Sequence, residues 1–316
     1  MERIDELAAL IAASSGRDGS YETAIPGLYL SRLSTVSAPR HTTNSAVFCI
    51  VAQGIKSILL NGERYVYDPS TYLVISLDLP LVGQIEEATR EKPFLGISLN
   101  LDFAEIGALI LQADLPLPAA PRQRRSLFIN PLADDLLDAT IRLVRLLQHP
   151  ARIPILAPMV RREIFYKLLL SEQSGLLHRM TAENSQVRRI ATGVEWLRRN
   201  VARPIRMDEL AHEVNMSQST MHAWFKTVTT MSPLQFQKQL RLQEARRILF
   251  SETTDVTTVS RRVGYESPSQ FSREYRRLFG LPPLRDVKRL QTVREGLHAP
   301  IHTLADQAER SELARA

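Results

Sequence analysis

The C-terminal third of this chain repeats itself, and that repeat limits its folding options more than any other feature. Ser217-Gln-Ser-Thr-Met-His-Ala-Trp-Phe-Lys226 can be placed over Ser267-Pro-Ser-Gln-Phe-Ser-Arg-Glu-Tyr-Arg276 at an offset of 50 residues. Ser217 then meets Ser267, Ser219 meets Ser269, Met221 meets Phe271, Phe225 meets Tyr275, and Lys226 meets Arg276. Further on, Pro233 meets Pro283. Upstream the match continues with one residue inserted, pairing Leu210-Ala211 with Val259-Ser260 and Val214 with Val263. Two copies of one small unit are therefore expected.

Each copy has a simple physical form. A short helix carries Leu210 and Val214, or Val256, Val259 and Val263. A tight turn follows at Asn215-Met216 or Gly264-Tyr265, and Asn and Gly are the residues that accept positive φ there. Ser217 or Ser267 then caps a second helix, with Pro268 suited to its first turn. The spacing buries Met221, Phe225 and Val228 in one copy and Phe271, Tyr275 and Leu278 in the other. The opposite face presents Ser219, His222 and Ala223, or Ser269, Gln270 and Arg273. This is helix-turn-helix architecture, whose second helix enters a DNA major groove. Between the copies, residues 233–249 predict one long helix bearing Lys238, Arg241, Arg246 and Arg247, which sets the separation of the two units.

Charge supports a polyanion partner. Residues 183–295 hold 20 Lys/Arg against 12 Asp/Glu, whereas the rest of the chain holds 20 against 22. Arg273 is a candidate for a bidentate contact to guanine, and Ser219, His222, Ala223, Ser269 and Gln270 are the other base-contact candidates. Ser217, Gln218, Lys226, Ser267 and Arg276 are candidates for phosphate contacts, which position a protein without reading sequence. Trp224 reads as core or interhelix packing.

The N-terminal half has a different pattern. Residues 1–20 read as a short helix and a Gly/Ser linker, and residues 21–102 as mostly short strands. Strands are expected at 46–52, 56–60, 64–67, 71–76 and 94–101, with Asn61-Gly62 a hairpin turn and Asp68-Pro69-Ser70 and Asp78-Leu79-Pro80 further turns. That spacing suggests a small barrel or jelly roll. Helices are expected over 132–147 and 158–178, the latter with Pro158 in its first turn. These helices have more apolar positions than one monomer-facing stripe requires, which predicts a dimer.

Several chemistries are disfavoured. Cys49 is the only cysteine, so no intramolecular disulfide and no cysteine zinc site is expected; it sits in the apolar run Val47–Val51 and reads as buried filler. His41 is the single histidine of the strand region, too few for a metal-dependent site. No catalytic set, cofactor or metal is expected. Arg122-Gln-Arg-Arg125 reads either as an anion-recognition loop or as a solvated basic loop. No apolar run approaches the ~20 residues of a membrane span, and the acidic first residues do not suit a signal peptide. A cytoplasmic location is expected.

The C-terminal segment resembles the AraC/XylS family of bacterial transcription regulators. The resemblance rests on Arg241-Leu-Gln-Glu-Ala-Arg-Arg-Ile-Leu249, Val259-Ser260, Val263-Gly264-Tyr265, Phe271, Tyr275 and Phe279-Gly280-Leu-Pro-Pro283. Two departures stand out. Asp286 occupies a place that is usually aromatic, a role Phe236 keeps in the first copy, and Asn215 replaces a turn glycine. The N-terminal half is similar to the cupin-type sensor domain of one branch of the family. The resemblance implies an activator with a small-molecule effector, double-stranded DNA and RNA polymerase as partners, and a homodimer.

The expected fold class is α+β. A cupin-like β-barrel spans residues 1–130 and a helical dimerisation and linker segment 131–182. An all-α domain of two helix-turn-helix units joined by a long helix spans 183–296, and a disordered tail 297–316. Two rival readings are an architectural DNA-binding protein without ligand control and an N-terminal cupin enzyme fused to a DNA reader.

Overall fold

The computed structural model describes residues 2–44, 46–115, 126–171, 174–182, 185–252 and 254–296. The expectations for residues 122–125 and 297–316 lie outside these. The chain divides into two compact units, the first made of residues up to 188 apart from 41–43, which group with the second.

In the first unit, α1 (Glu2–Ser14) leads into β1 (Gly19–Glu22), β2 (Leu28–Leu33), β3 (Arg40–Asn44), β4 (Val47–Gln53) and β5 (Ile55–Leu60). Next come β6 (Glu63–Tyr67), β7 (Thr71–Ile75), β8 (Leu79–Glu87), β9 (Phe94–Asn100), α2 (Phe103–Gln112) and β10 (Leu127–Pro131). Helices α3 (Asp134–Arg145), α4 (Ile153–Leu169) and α5 (Gly175–Thr181) complete it. One sheet runs β1-β2-β9-β4-β7-β10 and a second β3-β8-β5-β6. The pairings of β4 with β7 and β9, and of β5 with β6 and β8, are antiparallel.

Strand β4 shows why its sequence is a continuous apolar run rather than an alternation. It lies inside the first sheet, all of Val47–Ala52 is buried, and α1 packs against it through a face that includes the buried Leu7 and Ile11. Cys49 is accordingly buried, and desolvation pushes its thiol up to about 11. The Asn61-Gly62 turn forms as expected: both residues have positive φ (48° and 87°), and Leu60 pairs with Glu63 across it.

Three local expectations are corrected. The segment after α1 is no extended linker, because Gly19 already begins β1 and pairs with Arg32. Leu79-Pro80 belongs to β8 and is not a turn. Helix α4 starts at Ile153, so Pro154 takes the first turn and Pro158 lies inside the helix. The hydrogen bond lost at Pro158 is the one to the Pro154 carbonyl, and both residues are exposed. The same helix ends at Leu169 and does not run on to 178; the Ser171 hydroxyl donates to the Leu168 carbonyl (2.8 Å) and α5 starts separately.

The second unit is all-helical: α6 (Gln186–Arg199), α7 (Met207–Glu213), α8 (Gln218–Thr229), α9 (Pro233–Ser251), α10 (Val256–Arg262), α11 (Pro268–Phe279) and α12 (Pro283–Gly296). Helix α6 buries Ile190, Val194 and Leu197, a stripe at helical spacing. It approaches α7 closely at Gly193, where an added Cβ would lie 2.8 Å from Val214 Cγ1. Helix α9 begins with a full capping box, in which Ser232 and Gln235 satisfy each other's backbone N–H groups.

Candidate nucleic-acid interface

The two repeats become two helix-turn-helix units, α7–α8 and α10–α11. Each turn has the left-handed residue its sequence offers, with φ of 56° at Asn215 and 85° at Gly264. Asn215 satisfies the geometry that glycine serves elsewhere, and its carbonyl accepts from Arg189 Nη1 (2.8 Å). Ser217 caps α8 by accepting from the Thr220 N–H (3.2 Å), and Ser267 caps α11 by accepting from the Gln270 N–H (3.3 Å). Both second helices end on a residue with positive φ, Thr230 (64°) and Gly280 (78°), again 50 residues apart.

Each second helix turns one side inward. Met221, Phe225 and Val228 are buried in α8. In α11 the buried set is Phe271, Tyr275 and Phe279, with the expected Leu278 only partly buried at its edge. On the outer sides, Ser219, His222, Ala223, Ser269, Gln270 and Arg273 are all exposed, as are Ser217, Gln218, Lys226 and Arg276. Ser267 and Trp224 are half-buried. The repeat thus gathers the expected residues on two helix surfaces within one folded unit.

Arg241, on α9, bridges the loop that leads into the first unit and the turn of the second. Its guanidinium donates to the carbonyls of Val201 (2.8 Å), Gly264 (2.9 Å), Arg203 (3.0 Å) and Ala202 (3.2 Å). It therefore ties the loop after α6 to the turn of the second unit. Gln237 adds bonds to Arg203 (2.6 Å) and Val201 (3.2 Å). Gly264 is required here twice over, by its positive φ and because an added Cβ would sit 2.0 Å from the Ala202 carbonyl oxygen. The sequence shows Arg241 as part of a linking helix and of the run 241–249 that carries the resemblance, and four backbone acceptors from distant loops leave no local signature.

Asp286 is a second feature whose role the sequence concealed. It is fully buried, yet Arg246 reaches it with two bonds (Nε 2.7 Å, Nη2 3.1 Å), the Tyr275 hydroxyl donates at 3.0 Å and Arg289 at 3.2 Å. Arg246 also stacks over the Phe279 ring at 4.7 Å. In the first copy the corresponding Phe236 packs on Phe225, ring centroids 5.5 Å apart. A charge clamp in one copy thus replaces an aromatic contact in the other. Burial and the neighbouring carboxylate raise the Tyr275 hydroxyl's pKa, so it stays a donor.

Among the described residues no cluster of three or more His, Cys, Asp or Glu could hold a metal ion, and no helix is long and apolar enough to cross a membrane.

A family model for the AraC-type transcriptional regulator N-terminus matches residues 24–176, and one for a helix-turn-helix domain matches residues 210–305. The chain belongs to the AraC/XylS family. The chain is 32% identical over 129 residues to the HTH-type transcriptional activator RhaS of Escherichia coli (strain SE11), a match that covers 40% of this chain and 45% of that protein. The chain thus spans under half the length of the curated relative it matches. The fold is similar to that of ToxT from Vibrio cholerae strain SCE256. The structure of that protein with an unsaturated fatty acid bound gives a TM-score of 0.56 at 11% identity, covering 86% of this chain and 96% of that one. The apo structure of a single-substitution variant of ToxT gives a TM-score of 0.52 at 9% identity, over 86% and 98%.

Proposed function

We propose that this protein is a sequence-specific DNA-binding activator of transcription that answers to a small-molecule effector. The observation that carries the reading is the pair of capped helix-turn-helix units, tied together by Arg241, whose exposed outer faces hold the base-contact candidates. In the first unit these are Ser219, His222 and Ala223; in the second, Ser269, Gln270 and Arg273. Ser217, Gln218, Lys226, Ser267 and Arg276 flank them and contact phosphates. The activator role rests on the likeness to RhaS.

Residues 183–296 bind DNA in this reading, residues 1–130 receive the effector, and 131–182 connect and dimerise. Lys56 is the polar group that meets the effector in this reading: it pairs with the buried Tyr67 and Ile85, and its ammonium lies 5.9 Å from the Phe94 ring centre. The dimer forms through α4. Ile155 (70% exposed), Met159 (64%), Tyr166 and Leu170 line one side of it, and Met159 also borders a groove of about 490 Å³ lined by the apolar Leu146, Leu156 and Val160 and by the charged Arg142, Arg145, Arg152 and Glu163. A second copy of the same helix covers this stripe with matching chemistry, as a two-fold interface requires. The protein works in the cytoplasm, where its DNA lies, recruits RNA polymerase, and carries out no catalysis.

The test is binding of the purified full chain to DNA as salt rises. Several phosphate contacts predict a fall of at least ~100-fold in affinity between 50 and 200 mM salt. A well-folded protein that binds no DNA at low salt would refute the reading.

A further inference from the structure

Helix α11 has a carboxylate, Glu274, beside its candidate DNA-reading residues, where a negative charge opposes approach to phosphate. Its surroundings account for its presence. Glu274 Oε1 accepts from Lys238 Nζ (2.9 Å), reaching over from α9, and its Oε2 accepts from the Tyr265 hydroxyl (2.8 Å) in the turn of the second unit. Oε1 also accepts from Gln270 Nε2 (3.3 Å), one helical turn back along α11. Burial pushes the Glu274 carboxyl up, but the bonds from Lys238, Tyr265 and Gln270 outweigh it and hold the carboxyl below the usual range. It is ionised at neutral pH and can only accept hydrogen bonds.

That restriction fixes Gln270. A glutamine amide ordinarily turns either its oxygen or its nitrogen toward a neighbour. Facing an anchored carboxylate, Gln270 must turn its nitrogen inward. It then presents outward its Oε1 acceptor and its remaining N–H donor. That pair complements the N6 amino group and N7 of adenine in the major groove. The reverse orientation would present two donors outward and would suit the O6 and N7 acceptors of guanine. Lys238 neutralises the Glu274 charge, which removes the penalty of a carboxylate at this surface.

We propose that Gln270 reads an adenine, and that Glu274, held by Lys238 and Tyr265, is the positioning residue that makes it choose adenine over guanine. The inference rests on the DNA-binding reading above. It is tested with the full chain by selecting bound sites from a random DNA pool, then competing single-base variants of the selected site. Gln270→Ala should abolish preference at one base pair and so locate the adenine. Glu274→Gln lets the Gln270 amide turn over, because the new side chain also carries an N–H. It should reduce a discrimination of about tenfold or more between adenine and guanine at that pair to near parity, leaving the other positions unchanged. Glu274→Ala, which favours helix and also frees Gln270, should do the same. Adding Gln270→Ala to either variant should leave the adenine-to-guanine ratio at parity and remove the remaining preference for a purine at that pair.

Full adenine preference in both Glu274 variants would overturn the inference while leaving the DNA-binding reading intact. So would an equal loss at every position, the mark of a merely structural role. A wild-type protein that selects no sequence would overturn both.

Discussion

Arg241→Ala tests the idea that one side chain sets the geometry between the two helix-turn-helix units. The guanidinium makes two part-buried bonds, to the Val201 and Gly264 carbonyls, and two exposed ones, to Ala202 and Arg203. The part-buried bonds are charge-assisted and contribute ~1–1.5 kcal/mol each; the exposed ones, open to replacement by water, about half that. Gln237 keeps its bonds to Val201 and Arg203, so the Gly264 carbonyl is the main group orphaned. The expected loss is ~3 kcal/mol, a large fraction of the ~5–15 kcal/mol typical of a domain. Both tryptophans of the chain, Trp196 and Trp224, lie in this unit, so their fluorescence reports on its unfolding alone. The urea midpoint should fall by about 2 M for a domain of this size. Arg241→Lys should recover little, because a single ammonium cannot span four carbonyls set around a planar fork. Binding to a full site should also fall more than binding to an isolated half-site. A midpoint unchanged by Arg241→Ala, or full rescue by lysine, would refute the clamp.

Other expectations follow from the same structure. Arg273→Ala should cost ~1–3 kcal/mol on the selected site and relax preference at one base pair, whereas Arg276→Ala should weaken selected and random DNA alike and lower the salt slope by about one; a competition assay at two salt concentrations separates them. Asp286→Ala leaves Arg246 and the Tyr275 hydroxyl without their buried acceptor and should destabilise the unit by ~3–5 kcal/mol, read by the same fluorescence assay, while a loss below about 1 kcal/mol would contradict the charge clamp. Met159→Glu should convert a dimer to a monomer in light scattering without lowering the melting temperature; an unaltered dimer would place the interface elsewhere. Cys49 should resist alkylation at pH 8 in the native protein and react only in urea, because its thiol is pushed up to about 11 by burial.

How much of this was legible beforehand depended on whether the signal was local. The repeat, the serine caps, the left-handed Asn215 and Gly264 and the Asn61-Gly62 hairpin each follow from residues a few positions apart, and each is present in the fold. Strands β1, β2, β3, β8 and β10 were not individually legible: Ser20, Arg32, His41 and Gln84 are polar residues that pairing partners elsewhere in the chain hold in strands. Pro80 and Pro158 read as a turn and a helix start, yet tertiary packing carries a strand and a helix through them. At the interface, exposure of the base-contact candidates followed from helical spacing. The functions of Arg241, Asp286 and Glu274 did not, since their partners lie 23 to 40 residues away for Arg241, 40 and 11 for Asp286, and 36 and 9 for Glu274. Only the Gln270–Glu274 spacing of four was visible as a possible contact.

The most direct measurement of the central claim is selection of bound sequences from a random double-stranded DNA pool by the purified full chain, read by sequencing. Two recognition helices fixed by Arg241 should enrich a motif with two half-sites centred about 10–10.5 base pairs apart, one turn of the double helix. Loss of the half-site coupling in Arg241→Ala, with each half-site preference retained, would complete the prediction. A pool that emerges without enrichment, or a single half-site with no constrained partner, would contradict it.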